Sequence, residues 1–146
     1  MSKYKVYVAG PFFNKIERDR MERLKKFLTS GSFQDFDFFF PMDSVVGQAT
    51  ELPNHEWARK VFESDKDEIL KSDMILAVYD KHYSDSGTAW EIGYAYALHI
   101  PIYLLCTDLF SDNSLMTMCA ADFIYDFEGF LKGESDVDFK TLNNLK

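Results

Sequence analysis

The sequence predicts an α/β sandwich, in which helices alternate with the strands of a mainly parallel, five-stranded sheet. Three observations carry this. The continuous apolar runs "MILAVYD" and "PIYLLCT" are too short for core helices and read as strands buried on both faces. Stretches of helical periodicity fall between the β-rich runs, the order that gives parallel pairing. The 146 residues suffice for one compact domain, 1–146, with a single core.

Each element has its own signal. "KYKVYVAGPFF" is a β-rich run ended by Gly10-Pro11, a strand that delivers a loop. Asn14 suits the N-cap of the next segment, "NKIERDRMERLKKFL", which places Ile16, Met21, Leu24 and Leu28 on one face. "FDFFFP" is the second strand, closed by Pro41. The following "MDSVVGQATELPN" has no period, and loops of this length are often functional. A helix from about His55 to Lys71 carries Trp57, Val61, Phe62, Ile69 and Leu70. "MILAVYD" is the third strand and "KHYSDSG" a turn into the next helix. "PIYLLCT" and "DFIYDF" are the fourth and fifth strands. The polar tail "GESDVDFKTLNNLK" reads as a final amphipathic helix.

Composition narrows the function classes. The chain is 47% hydrophobic and 16% aromatic, with 14 Phe, a surplus that suggests subunit interfaces or a pocket that stacks flat ligands. Sixteen basic against 24 acidic residues give a formal charge of −8, with no basic stripe, which argues against a nucleic-acid polymer as partner. The chain runs into a strand from its first residues without a leader pattern, and no window approaches the ~18 apolar residues of a membrane span. Cys106 and Cys119 lack CxxC spacing and read as reduced thiols of a cytoplasmic protein. The three scattered histidines suggest no metal site.

Ligands of open parallel sheets sit beyond the carboxyl ends of the strands. The loops there begin at "AGPFF", "PMDS", "YDKHYSDSG" and "TDLFSDNS", which predicts an acidic, aromatic pocket without a phosphate cradle. Within "DSGTAWEIGYAYALHIPIYLLC" a single carboxylate, Glu91, interrupts an apolar helix near its predicted start. The helix dipole and backbone amides there would favour its ionised form. Asp85 lies six residues before it, and Asp65 shares a helix face with Ile69 and Ser72. On spacing alone, such a Glu is more often a complement to the dipole, such an Asp a cap, and an inner-strand Tyr7 part of the core. The pattern leaves both readings open.

Three segments, "YKVYVAGPFF", "ESDKDEILKSDMILAVYD" and "DSGTAWEIGYAYA", together resemble the nucleoside 2-deoxyribosyltransferase family over roughly residues 4 to 127. The resemblance implies a flavodoxin-like, doubly wound sheet and a Glu nucleophile at Glu91. It implies that Asp85 and Asp65 hold the nucleobase and assist its departure, and that Tyr7 orients the nucleophile. Gly10, Phe12 and Phe13 of the first loop, Asp43 of the second and Gly87 of the third fall on substrate-binding positions. The family completes each pocket from a neighbouring subunit, which implies a homo-oligomer. In "DNSLMTM" the contributing residue is Ser114 or the adjacent Asn113, followed by Met116. A base-contacting Gln of some members aligns with Val45, with Gln48 slightly later.

The implied activity moves 2′-deoxyribose between nucleobases in nucleoside salvage, with 2′-deoxynucleosides and free bases as small-molecule partners. Its chemistry follows from first principles. Breaking the N-glycosidic bond builds oxocarbenium character at C1′, onto which a carboxylate can collapse before a second displacement restores configuration. Two neighbouring carboxyls raise one another's pKa, so the Asp65/Asp85 pair suits protonation of the leaving base, and no metal or redox cofactor is needed. The rivals are hydrolysis of 2′-deoxynucleoside 5′-monophosphates, for which Lys15, Arg18 and Arg20 are the nearest cations to the first loop, and a non-catalytic nucleotide-sensing module.

Overall fold

The computed structural model describes residues 3–44, 54–80, 85–108 and 114–133. Its strands are β1 (Tyr4–Ala9), β2 (Phe36–Phe39), β3 (Met74–Tyr79), β4 (Ile102–Cys106) and β5 (Phe123–Asp126). Its helices are α1 (Lys15–Leu28), α2 (Asn54–Lys71), α3 (Ser86–Ala97), α4 (Leu115–Ala120) and α5 (Phe127–Leu131), with a 3₁₀ turn at Pro41–Asp43. The strands form one sheet in the order β2-β1-β3-β4-β5. Every pairing is parallel. The predicted sheet is therefore fully parallel, and its order is the flavodoxin-like one.

The two faces of the sheet carry separate cores. On one, Tyr7, Ala9, Ile75, Ala77, Ile102 and Leu104 pack with Ile69 of α2 and with Ile92 and Ala95 of α3. On the other, Val6, Val8, Leu76, Val78 and Leu105 meet Met21, Leu24 and Leu28 of α1 and Phe127 of α5. Consecutive strand residues thus serve opposite faces, and each fully buried aliphatic contributes about 1.5–3 kcal/mol. Two aspartates tie neighbouring strands at their entry. Asp73 accepts from the Lys5 amide at 2.8 Å, and Asp122 accepts from the Ile102 amide at 2.8 Å. Both are structural.

Asn14 caps α1 as its sequence predicts. Its side chain accepts from the Glu17 amide, and the Glu17 carboxylate returns to the Asn14 amide, a reciprocal capping box. Ile16 departs from the predicted face. It is 72% exposed, while Glu17, one residue on, takes the buried place because its carboxylate is satisfied by backbone amides. In α2, Ile69 is fully buried but Leu70 points outward. Much of the Phe surplus packs internally: Phe27 meets Phe33 and Phe130 edge to face at 5.5 and 5.4 Å, and Phe36 stacks on Phe38 at 6.0 Å. "DFIYDF" ends earlier than a strand reading implies, because the Asp126 side chain caps α5 through the Gly129 amide. The predicted tail helix lies outside the described residues.

Candidate active site

The winding direction of the sheet reverses at β1. The chain passes from β1 to β2 on one side and then returns to β3 on the other. Loops diverge at such a point and leave a crevice at the carboxyl ends of the strands. A cleft of about 620 Å³ occupies that place, within the range of small-molecule sites. Asp65, Asp85 and Glu91 line it, drawn from α2, the turn before α3 and α3 itself. Gly10, Phe12 and Phe13 reach it from the loop after β1, Asp43 from the 3₁₀ turn and Gly87 from the first turn of α3. The lining is acidic and aromatic.

Glu91 is the sixth residue of α3, which starts at Ser86, so the predicted support from the helix N-terminus is not what holds it. The first-turn amide of Thr88 is taken by Asp85, at 2.9 Å, together with the Thr88 hydroxyl at 2.6 Å. Glu91 is instead held by Tyr7, whose hydroxyl donates to Glu91 Oε2. Tyr7 is fully buried inside β1 and stacks on Phe39, its partner in the β1–β2 register, at 5.5 Å. Burial pushes the Glu91 carboxyl up to about 7. The Tyr7 hydrogen bond opposes that rise, and the charges of Asp65 and Asp85 add to it. Tyr7 itself is raised far above the usual phenol range by burial and by Glu91, so it remains a donor.

Asp65 is raised to about 6, chiefly by burial and then by Glu68. The predicted cause, mutual repulsion with Asp85, is thus replaced by removal from water, with Glu68 rather than Asp85 as the neighbouring charge. The site holds a group suited to proton delivery and a carboxylate poised near neutrality, and Tyr7 fixes the orientation of the second. Such elevated carboxyls in a cleft mark functional sites.

Several lining residues carried no site signal in the sequence. Trp57, Phe62 and Trp90 form an aromatic wall, with Phe62 edge-on to Trp90 at 5.3 Å. The Trp57 indole N–H is buried and has no acceptor among the described residues. Their spacing is that of an ordinary helix face, and only the approach of α2 to α3 turns them toward a cavity. Ser114 and Met116 lie away from this cleft. The Ser114 amide donates to the Tyr79 hydroxyl at 3.1 Å, and Met116 is 83% exposed. Gln48 and Asn113 lie outside the described residues. Among the described residues no group of His, Cys, Asp and Glu could hold a metal ion, and no helix is long and apolar enough to cross a membrane.

The family profile described as nucleoside 2-deoxyribosyltransferase matches residues 6–130. A nucleoside deoxyribosyltransferase of Limosilactobacillus fermentum is 33% identical over 107 residues, 69% of this chain; the chain spans 64% of that relative's length. The solved 2-deoxyribosyltransferase of Bacillus psychrosaccharolyticus superposes with a TM-score of 0.75 at 27% identity, covering 94% of this chain and 95% of that one. A CMP N-glycosidase of Clostridium botulinum shares the fold at 21% identity and a TM-score of 0.57, over 88% of this chain and 95% of its own.

Proposed function

The chain belongs to the nucleoside 2-deoxyribosyltransferase family, and on that premise we propose that it transfers 2′-deoxyribose between nucleobases through a covalent glycosyl-Glu91 intermediate. The observation that carries this reading is Glu91 itself. It is a carboxylate inside an apolar helix, bonded by a fully buried tyrosine, in a cleft shared with three further acids, Asp43, Asp65 and Asp85.

The first displacement begins with Glu91 ionised, which at pH 7 is about half the population of a group titrating near 7. A Glu91 carboxylate oxygen attacks C1′ while the C1′–N bond breaks, and its electron pair leaves with the base. Asp65, raised to about 6, delivers the proton that the departing nitrogen requires. In the second displacement the incoming base attacks C1′ and returns a proton to Asp65, and Glu91 is released as carboxylate. Two inversions retain the configuration. Asp85 holds the base through whatever acceptor capacity its cap to Thr88 leaves. Tyr7 keeps Glu91 aimed, and its hydrogen bond favours the ionised, nucleophilic form.

The enzyme works in the cytoplasm, in salvage, as a homo-oligomer whose pockets are shared. Leu115 and Met116, 80% and 83% exposed, support an apolar contact at the start of α4, beside Ser114 and Asn113, from which one polar side chain enters the neighbouring cleft. The rival activity, hydrolysis of 2′-deoxynucleoside 5′-monophosphates, needs a phosphate site. The cations nearest the first loop already have partners: Lys15 pairs with Asp19 and Arg20 with Asp80, and Arg18 is bound to the Phe13 carbonyl of the loop itself. Base transfer is therefore favoured.

The test is deoxyinosine incubated with adenine or cytosine, with and without the acceptor, and products separated chromatographically. New deoxynucleoside that depends on acceptor supports transfer, and free sugar formed regardless of acceptor indicates hydrolysis. Incubation with a 2-fluorinated deoxynucleoside and no acceptor should add one sugar mass, mapped to Glu91. A sugar on any other residue would overturn the mechanism.

A further inference from the structure

Phe13 is 65% exposed, yet its backbone is pinned on both sides. Its N–H donates to Glu17 Oε1 at 2.9 Å, and its carbonyl accepts from Arg18 Nη1 at 2.9 Å. Glu17 is only 4% exposed, and the same oxygen also accepts from the Asn14 amide at 3.2 Å. Phe12 stacks behind Phe13, with ring centroids 5.8 Å apart and an 18° interplanar angle. The loop starts at Gly10, whose φ of 153° favours glycine and where a Cβ would stand 3.1 Å from Val78 Cβ. Both rings line the cleft that contains Glu91.

An exposed aromatic ring forgoes its burial energy, and a strand-to-helix loop is ordinarily free to relax and recover some of it. Here a buried carboxylate and a guanidinium oppose that relaxation at a single residue, one on each of the two peptide units that flank it. The capping box explains why Glu17 reaches Asn14, but α1 would be capped without the additional bonds to Phe13. Arg18 has no capping function, because it sits in the first turn and reaches back five residues to a carbonyl outside the helix.

We propose that Glu17 and Arg18 are positioning residues that hold Phe13, with Phe12 stacked on it, as a preformed flat platform for the nucleobase. This rests on the functional reading above. Its physical sense is preorganisation: a ring already fixed in its bound attitude costs no loop ordering when the base arrives. The platform acts on base affinity, and the chemistry at C1′ stays with Glu91 and Asp65.

The experiment is a double-mutant cycle between Arg18→Met and Phe13→Ala, read by transfer kinetics and by calorimetric binding of adenine to the full chain. Arg18 is exposed, so Arg18→Met folds, and an unchanged melting temperature verifies it. Arg18→Met should raise KM for the acceptor base about three- to tenfold, the worth of one hydrogen bond, with kcat within about twofold. Arg18→Lys, which keeps a donor, should recover most of that loss. In the Phe13→Ala background Arg18→Met should add nothing, because there is no ring left to position. Additive effects, or a loss confined to kcat, would overturn the platform while leaving transfer intact. A wild type that neither binds adenine nor transfers to it would overturn the functional reading, and the platform with it.

Discussion

Replacing Glu91 with glutamine should stabilise the fold, and by an amount that depends on pH. Burial lifts the carboxyl from its ordinary 4.5 to about 7. The difference, 7 − 4.5 = 2.5 pH units, corresponds to about 3 kcal/mol at ~1.36 kcal/mol per unit. The sign follows from proton binding. A carboxyl whose folded value lies above its unfolded one binds more protons when folded, so stability falls as pH rises from 4.5 to about 7. Above that window the full penalty of holding an ionised Glu91 is present, and below it there is none. The amide in Glu91→Gln carries no charge at any pH, fills the same volume and keeps an oxygen to accept from Tyr7. The variant should therefore match the wild type near pH 4 and exceed it by about 3 kcal/mol at pH 8. For a domain of this size that is a rise in melting temperature of roughly 10 °C. Urea unfolding of both proteins at pH 4, 6 and 8, followed by circular dichroism, measures it. A difference that is flat across this range, or a variant less stable at pH 8, would refute the burial argument.

The same substitution should lower transfer by on the order of 10³-fold or more, measured by product formation at saturating donor. Tyr7→Phe removes the hydrogen bond that holds Glu91 down; if its carboxyl rises by about one pH unit, kcat/KM falls about tenfold at pH 6 but only about twofold at pH 8, and equal losses at both would argue against it. Asp65→Asn should slow the first displacement more for poorly leaving bases than for activated ones, and uniform losses over a base series would make Asp65 a positioning group. Asp85→Ala should cost about 1 kcal/mol of stability through loss of the α3 cap, whereas Asp85→Asn keeps an acceptor and should retain it. An active monomer in sedimentation at assay concentration would exclude a pocket shared between subunits.

What the sequence determined by itself was whatever depends on local period and capping. The β3 and β4 runs were legible because both faces of those strands are buried, which leaves continuous apolar stretches such as Met74–Tyr79, and β1 was legible as a β-rich run ended by Gly10-Pro11. α1 announced its start through Asn14, since an N-cap is a local contact; the reciprocal bond from Glu17 was found only in the structure. The short helix α5 was not legible, because five residues hold too little period and the decisive bond runs from Gly129 to Asp126. Glu91 could be singled out as an anomaly, a charge in an apolar helix, and the family resemblance carried its role. The resemblance also implied that Tyr7 orients it, and only the tertiary structure decided how that contact is made. The partner is Tyr7, 84 residues away in β1, and no local signal encodes a contact made by packing α3 across the sheet. The same holds for the aromatic wall of Trp57, Phe62 and Trp90 and for the burial that lifts Asp65, whereas the Asp85 cap, a contact between residues three apart, was open to a sequence reading. Burial is a property of the assembled layers, and so is the pKa of every group that depends on it.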